Sequence, residues 1–300
     1  MQRASWHEVS KKKLSLNSLM IVTSNIGGAG KVTALVLIFM ALASCSQHKY
    51  AGLMSWEEYI SMPRSQPYVM ELARGRGHLL YYGAFHSVDL DHPQFSDIEQ
   101  KWAAFRPTLA LSEGSLWPLE ATREEAIRKY GEQGLLRFLA ARDGVPMKCL
   151  DQPRLLQSRH LRRYFSVQEV KVYMTLRQAR VNQMLGRNPN DLADIGFFLD
   201  TMEKFRSFRF PPHSLSALED LVKHEFPGLE DWRTISEDYF YDKEKGKFLP
   251  EIHRYLMRYR DNFMLGILFN ELKKGRRVFA VVGRSHVAMQ EPALRAEAAR

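Results

Sequence analysis

Cysteine is nearly absent from this chain, which has two among its 300 residues, Cys45 and Cys149. A framework of disulfides, the usual support of small secreted domains, is therefore excluded. Internal repeats and low-complexity segments are also missing, so no repeat architecture is indicated. The hydrophobic fraction of 45% and the charged fraction of 26% are ordinary for a globular protein with a full core.

The chain also lacks an apolar run long enough to span a bilayer. The apolar stretch at residues 32–41 is much shorter than the roughly 20 residues that a spanning helix needs. It follows the basic residue Lys31 and leads into residues 42–45, Leu-Ala-Ser-Cys. A basic start, a short apolar core and small residues at a cleavage site are typical of an export signal. Whether translation starts at Met1 or Met20 stays open.

Residues 42–45 resemble the lipobox that lipoprotein-processing enzymes recognise. The resemblance implies that residues 1–44 are removed as a lipoprotein signal peptide and that Cys45 becomes the acylated first residue. The alternative is an ordinary cleaved signal with a chance cysteine. Among lipoproteins, a serine such as Ser46 after the acylated cysteine fits the outer membrane of a cell with two membranes. We therefore expect a lipid-anchored protein of the cell envelope that faces the periplasm or the surface, with the membrane as partner.

Negative charge is scarce relative to positive charge, and the formal net charge is +9. This excess does not indicate a nucleic-acid partner, because Arg and Lys are scattered among Glu and Asp and no nucleic-acid motif is present. A basic face toward anionic lipid or a surface polymer is an alternative. An ordinary solvated surface is the favoured interpretation.

The remainder of the chain is long enough for one large domain. Without the predicted signal, about 256 residues remain. Residues 45–75 are predicted to form a tether and an N-terminal helical segment, and residues 76–300 a single α/β domain. A helical insert is expected at about residues 158–245. Since Cys45 is expected to carry lipid, Cys149 has no partner for a disulfide inside the chain.

Strand and helix patterns alternate along the predicted domain. The strands are continuously apolar, which is typical of parallel strands with both faces covered. We therefore expect an α/β fold with a mostly parallel central sheet flanked by helices, and with the insert before the last helix–strand unit. Pro292 is expected to begin a final short helix. The predicted strands are residues 78–83, 108–113, 145–151 and 277–283, and the helices are residues 95–105, 122–144, 166–185, 191–208, 214–225 and 250–274.

Two of these strands end in the same motif, a glycine followed three residues later by a histidine. They are Gly83 with His86 and Gly283 with His286, and both histidines are expected to project from loops. Glu113 ends another strand. Asp151 ends a further strand and is a possible additional site residue. Ligands of open parallel sheets bind outside the carboxyl ends of the strands, so these side chains are predicted to share one crevice. The alternative is that the histidines cap loops and that the glutamate is solvated.

The ordered set of motifs resembles the superfamily that contains TraB, the TIKI proteases, the erythromycin esterases and the ChaN lipoprotein. Its members share a first Gly-x-x-His, a Glu after the next strand, an Arg on the helix before the last strand, and a second Gly-x-x-His. Erythromycin esterases carry Glu after the first glycine and TIKI-like members usually carry Thr, whereas this chain has Ala84, so no member's substrate is implied. The matching positions are Gly83, His86, Glu113, Arg260, Gly283 and His286, and the match runs from about residue 78 to the C-terminus.

The leading hypothesis is a hydrolase of an ester, amide or peptide bond in a small molecule or peptide. In a metal-dependent form, which the TIKI resemblance implies, His86, Glu113 and His286 bind a divalent metal ion that activates water. In a metal-free form, which the esterase resemblance implies, one histidine is the general base and Glu113 orients it. Arg260 is expected to hold a substrate carboxylate or an oxyanion. A salt bridge from Arg260 to Glu113 or Asp151 is equally favoured.

Two other functions stay open. A ChaN-like protein would bind haem or iron without catalysis, and Tyr81, Tyr82 and His92 are the candidate haem ligands. Packing of both tyrosines in the sheet is nevertheless the favoured interpretation. The third possibility is a structural envelope protein that keeps the pocket without activity. Four histidines in helical segments are expected at the surface, and Asp89 and Asp91 in a polar turn. These four are His160, His213, His224 and His253.

Overall fold

The computed structural model describes residues 52–62, 67–114 and 116–299. The predicted signal peptide, the alternative start at Met20 and the predicted lipidation site Cys45 lie outside these residues. Within the described ranges, no helix is long and apolar enough to cross a bilayer.

A mostly parallel sheet lies at the centre of the described chain. Its five strands run in the order β1-β2-β5-β3-β4. The pair β1–β2 is antiparallel, and the pairs β2–β5, β5–β3 and β3–β4 are parallel. The predicted α/β class with a mostly parallel sheet is confirmed. The strands are β1 (Tyr68–Arg74), β2 (Gly77–Ala84), β3 (Leu109–Ser112), β4 (Met147–Cys149) and β5 (Arg277–Gly283).

Strand β1 is a departure from the sequence-based expectation, which treats residues 45–75 as a tether with a helical segment. Residues 68–74 instead form an edge strand that reaches β2 through a tight turn at Gly75, where φ is +57°. Met70 and Leu72 pack against the core, while Glu71 between them is exposed. Such alternation is typical of a strand with one covered face, and the continuously apolar pattern of the inner strands does not detect it.

Helices cover both faces of the sheet and form the insert. Ser55 and Ser166 each begin a helix with a complete capping box, with Glu58 and Glu169 as the reciprocal partners. The helices are α1 (Trp56–Ser61), α2 (Gln94–Phe105), α3 (Arg123–Arg142), α4 (Arg154–Leu161), α5 (Val167–Met184), α6 (Ala193–Glu203), α7 (Leu215–Glu225), α8 (Lys243–Gly246), α9 (Leu249–Lys273) and α10 (Arg284–Ala298).

The sheet separates two hydrophobic clusters, which explains why its inner strands are continuously apolar. On one face, Tyr81 and Ala280 pack with Leu265 of α9 and other residues of α9 and α10. On the other face, Tyr82 packs with residues of α2 and α3, such as Trp102. Tyr81 and Tyr82, which are adjacent in β2, therefore point into different cores, and both residues are fully buried.

The helical insert has a third cluster of its own, built by α5, α6, α7 and the short turns that follow them. Helix α9 belongs to two clusters at once. Leu249, Ile252 and Leu256 pack in the insert, whereas Met264 and Leu268 pack against the sheet. The helix therefore crosses from one core to the other, and Arg260 lies between the two sets of apolar contacts.

Three smaller sequence-based expectations are wrong. One is the surface position of His253, which is half-buried and lies 2.9 Å from the hydroxyl of Tyr173. Pro292 stands inside α10, because the chain turns into this helix directly at Gly283 and Arg284 instead of passing through a loop. His160 is buried rather than at the surface and stacks on Tyr259 with 3.6 Å between ring centroids. Burial and the nearby charge of Arg163 lower the pKa of His160 to about 4, so this histidine is a neutral packing residue.

Candidate functional site

The predicted site residues meet at the carboxyl ends of the strands. Glu113 follows β3 directly, and Asp151 follows β4 after one intervening residue. The register places Gly83 opposite Val282 and Ala84 opposite Gly283, so the two motif glycines lie on neighbouring strands and one residue out of register. The site is thus assembled from distant parts of the chain by the parallel strand order.

Glu113 lies at the centre of the arrangement. Its Oε2 accepts a hydrogen bond of 2.6 Å from the backbone N–H of Gly283, and its Oε1 accepts one of 2.6 Å from Nη2 of Arg260. Burial opposes ionisation, but the charges of His286 and Arg260 hold the pKa of Glu113 well below its usual range. Glu113 is therefore a buried carboxylate with a charge-assisted hydrogen bond on each oxygen.

Arg260 is held between two carboxylates. Its Nε lies 3.0 and 3.1 Å from the two oxygens of Asp151, and its Nη2 lies 2.7 Å from Asp151 and 2.6 Å from Glu113. Only 2% of the side chain is exposed. The salt bridge is thus present with both predicted partners. The alternative role, in which Arg260 binds a substrate carboxylate directly, does not fit this geometry because its fork already holds Asp151.

His86 forms a hydrogen-bonded dyad with a carboxylate of helix α3. Its Nδ1 lies 2.6 Å from Oε1 of Glu132, whose side chain is 3% exposed. The loop that carries His86 is clamped by Gln94, which accepts from the N–H of Phe85 and donates to its carbonyl. Burial alone lowers the pKa of His86, but attraction to Glu132 and Glu113 raises it to about 9.

A kink in α3 brings Glu132 to His86. Gly131 has φ +59° and ψ −140°, outside helical geometry, in a region that is open to glycine alone. A Cβ atom at Gly131 would stand 2.5 Å from the carbonyl oxygen of Ser87, so the loop after His86 packs directly on this residue. Gln133, two residues after Gly131, donates to the carbonyl of Val281 and ties the kink to the sheet.

Replacement of Gly131 by alanine is therefore expected to lower the free energy of unfolding by more than about 3 kcal/mol, since it combines backbone strain with a steric clash. Urea denaturation measures the effect. Gly144→Ala is the matched control, because Gly144 also has a positive φ of +65° but has nothing within 4 Å of the added Cβ. The control is expected to lose about 1 kcal/mol. Equal losses in both variants would contradict the close packing of Ser87 on the kink.

His286 forms a second dyad, and its position differs from the expected loop because it lies in the first turn of α10. Its Nδ1 lies 2.5 Å from Oδ1 of Asp261, and its Nε2 lies 3.5 Å from Oε1 of Glu113. Burial alone lowers the pKa of His286, but attraction to Asp261 and Glu113 raises it to about 9. Gln290 donates to Asp261 and accepts from the hydroxyl of Tyr81, and these two hydrogen bonds hold the carboxylate of the dyad in place.

Solvent access separates the two histidines. The side chain of His86 is 33% exposed, whereas that of His286 is 2% exposed. A Cβ atom at Gly283 would lie 3.1 Å from Nε2 of His86 and 3.3 Å from Oε2 of Glu113. The absence of a side chain at Gly283 therefore leaves room beside Nε2 of His86, and of the two imidazoles that of His86 is the one with an exposed surface.

The predicted metal ligands His86, Glu113 and His286 do not fit a divalent ion in this arrangement. Among the residues that the structure describes, no group of three or more His, Cys, Asp and Glu side chains is arranged to hold a metal. The reason lies in Glu113, because both of its oxygens accept hydrogen bonds and the guanidinium of Arg260 stands against one of them. A cation at this point would be repelled by Arg260.

The candidate haem ligands are not brought together. The hydroxyl of Tyr81 donates to Gln290 on one side of the sheet, and the hydroxyl of Tyr82 donates to Asp97 on the other. Both tyrosines pack in the sheet, as the favoured interpretation expects. His92 lies against Phe85 with 5.8 Å between the ring centroids. The nearby Asp89 and Asp91 form a polar turn, in which the side chain of Asp89 accepts from the N–H of Asp91.

Glu132 and Asp261, the carboxylates that orient the two histidines, are absent from the sequence-based prediction. For Glu132 a signal existed, because two glycines, Gly131 and Gly134, interrupt an otherwise regular helix pattern. For Asp261 the only signal was its position next to Arg260. Neither residue lies at a strand end, where the sequence pattern indicates a ligand site.

Comparison with known proteins identifies no relative: no protein-family model, no curated protein and no solved structure matches the chain. The arrangement of side chains is therefore the basis on which a function can be assigned. It consists of three basic groups and four carboxylates, joined as two His–carboxylate dyads and as the cluster of Arg260 with Glu113 and Asp151.

Proposed function

We propose that the chain is a hydrolase of an ester, amide or peptide bond and that His86 is its general base. The observation that supports this proposal is the dyad of His86 and Glu132, with 2.6 Å between Nδ1 and Oε1. A carboxylate on Nδ1 fixes the ring and leaves Nε2 to exchange a proton. Nε2 lies on the side of the imidazole that Gly283 leaves open.

In the proposed reaction, neutral His86 accepts a proton from water at Nε2 while the water oxygen attacks the carbonyl carbon of the substrate. The imidazolium that forms is stabilised by Glu132 and, at longer range, by Glu113. The same Nε2–H then donates its proton to the leaving alkoxide or amine. The hydroxyl group of the water thus ends on the carboxylic acid, and its other hydrogen ends on the alcohol or amine that leaves.

The buried part of the network positions Glu113. Its carboxylate is fixed by the N–H of Gly283 and by Arg260, so that its charge lies beside the room that Gly283 leaves next to His86. His286 approaches the same carboxylate from the side of α10, and Asp261 sets the orientation of that ring. His286 is therefore assigned as a positioning residue, because its ring is almost fully enclosed.

The pH dependence of hydrolysis tests the proposal. His86 must be neutral to accept a proton, and its pKa is about 9, so kcat/KM is expected to rise about tenfold per pH unit and to level off above about pH 9. Glu132→Gln removes the charge that raises this pKa, so the rising limb is expected to move to lower pH while the plateau falls. A series of p-nitrophenyl esters and p-nitroanilides, assayed between about pH 6 and about pH 10, measures both effects.

Glu125→Gln is the matched control for this experiment. Glu125 lies on the same helix, α3, but is exposed, and its change is expected to leave the profile as it is. A rising limb that stays at the same pH in Glu132→Gln would contradict the role of the dyad. Absence of hydrolysis across the whole series of esters and anilides would contradict the proposed function itself.

The proposed site of action is the cell envelope. The lipobox-like residues 42–45 support a lipid anchor on Cys45, which would tether the hydrolase to a membrane surface while the domain stays in the aqueous phase. The substrates would then be esters, amides or peptides that reach that compartment.

A further inference from the structure

Two arginines lie beside the cluster of Arg260 with Glu113 and Asp151 and have no acidic partner of their own. Arg154 is the first residue of α4, three residues after Asp151, and it is exposed. Arg177 lies on α5 of the insert and is half-buried. In the described part of the chain, neither guanidinium makes a hydrogen bond or an ion pair with a carboxylate.

The contact between α5 and α9 directs Arg177 toward Arg260. The hydroxyl of Tyr173 on α5 lies 2.9 Å from Nδ1 of His253 on α9. Arg177 is one turn further along α5, on the same face as Tyr173. Arg260 is two turns further along α9 than His253 and also lies on the same face. Burial and the charge of Arg260 lower the pKa of Arg177, whereas the two carboxylates that bind Arg260 act in the opposite direction.

Arg154 reaches the same place from α4. Gln157, one turn after Arg154, donates to Oδ1 of Asp151 at 3.1 Å and fixes the start of α4 against the end of β4. Partial burial and the positive charge of Arg177 lower the pKa of Arg154 to about 10. The two guanidinium groups are therefore close enough to repel each other.

The carboxylates of the cluster are already occupied. Both oxygens of Asp151 accept hydrogen bonds from Arg260, and each oxygen of Glu113 accepts one as well. Neither carboxylate can turn to Arg154 or Arg177 without giving up those hydrogen bonds. Two neighbouring guanidinium groups without acceptors favour an anionic ligand, because a carboxylate or a phosphate supplies two acceptor oxygens at once.

The strand order gives the distance from these arginines to the proposed catalytic base. His86 follows β2 and Arg154 follows β4, and β5 and β3 lie between these strands. Neighbouring strands are about 4.8 Å apart, so β2 and β4 are separated by about 14 Å. An extended peptide rises about 3.3 Å per residue, and about four residues cover this distance.

We infer that Arg154 and Arg177 bind an anionic group of the substrate, which is an extended ester, amide or peptide with a carboxylate or phosphate about four residues from the cleaved bond. The inference rests on the proposed hydrolase function and names the class of substrate for the same site. The two arginines determine specificity, because they select a charged substrate over a neutral one without taking part in proton transfer.

Two p-nitrophenyl esters of the same peptide test the inference. The ester of succinyl-trialanine carries a carboxylate about four residues from the ester bond, and the ester of acetyl-trialanine is its neutral counterpart. The unchanged protein is expected to hydrolyse the succinyl ester with a kcat/KM at least about tenfold higher. Arg154→Gln and Arg177→Gln are each expected to remove most of this preference, and to leave kcat/KM for the acetyl ester within about twofold.

Arg128→Gln is the matched control, because Arg128 is an exposed arginine of α3 that also lacks an ion pair in the described part of the chain. Its preference for the succinyl ester is expected to stay as in the unchanged protein. Arg154 is exposed, so its variant keeps the test valid even if Arg177→Gln unfolds the protein. The inference is overturned if the unchanged protein hydrolyses both esters equally, or if Arg154→Gln keeps the preference of Arg128→Gln.

Calorimetry separates this inference from the proposed function. If neither ester is hydrolysed, the proposed function fails, and the binding of succinyl-trialanine amide and acetyl-trialanine amide decides the inference. Binding of the succinyl amide that weakens at least about tenfold in Arg154→Gln supports the anion site. Absence of binding, or equal binding of the two amides, overturns it.

Discussion

Replacement of His86 by alanine is expected to lower kcat/KM for ester hydrolysis by about 10²- to 10⁴-fold, the range typical of the loss of a general base. The reason is that His86 is the proposed proton acceptor, that its side chain is one-third exposed, and that Gly283 leaves room beside its Nε2. Circular dichroism verifies that the variant is folded, because Glu132, whose side chain is 3% exposed, loses its partner. The measurement is the initial rate with p-nitrophenyl esters at about pH 9.

His92→Ala is the matched control for this variant. His92 follows the same strand, but its ring stacks on Phe85 and its Nδ1 accepts from the backbone N–H of Gln94. Its removal is expected to leave the rate within about twofold. If His86→Ala and His92→Ala hydrolyse the esters equally well, the pocket has no catalytic role, and a structural envelope protein becomes the better interpretation.

Replacement of Arg260 by methionine is expected to lower the free energy of unfolding by about 3–5 kcal/mol, because it leaves Glu113 and Asp151 as buried charges without their cation. The effect is measured by urea denaturation near neutral pH. Arg128→Met, at an exposed arginine of α3, is the control and is expected to stay within about 0.5 kcal/mol.

A triple variant separates loss of the ion pairs from loss of packing. Glu113→Gln and Asp151→Asn in the background of Arg260→Met remove both uncompensated charges, so part of the lost stability is expected to return. If the triple variant is no more stable than Arg260→Met alone, the stability of the site comes from the aliphatic stem of the arginine rather than from its charge.

The fold class was predictable because burial on both faces leaves a direct mark on the sequence. Strands such as residues 277–283 are apolar throughout, and helix patterns separate them. Helix starts were predictable where capping boxes exist, as at Ser166, whose helix begins at the next residue. The edge strand at residues 68–74 was not predicted, because its alternating pattern resembles that of a polar surface segment.

The candidate site was predictable in its strand-end residues and not in its helical ones. His86, Glu113 and His286 come after glycines or strand ends, where side chains must face the crevice. Glu132 and Asp261 lie on long helices among many other acidic residues, and a helix pattern does not reveal which carboxylate is turned inward. The kinked backbone at Gly131 turns Glu132 inward, and the packing of α9 turns Asp261 inward.

Helix α9 has a mechanical consequence for the chemistry of the cleft. Its first half is embedded in the core of the insert, its second half in the core beneath the sheet, and Arg260 stands at the crossing point. A continuous helix transmits displacement along its length. The insert cannot tilt away as an independent flap without pulling the guanidinium of Arg260 from Glu113, so a displacement of the insert would disturb the arrangement around the two His–carboxylate dyads.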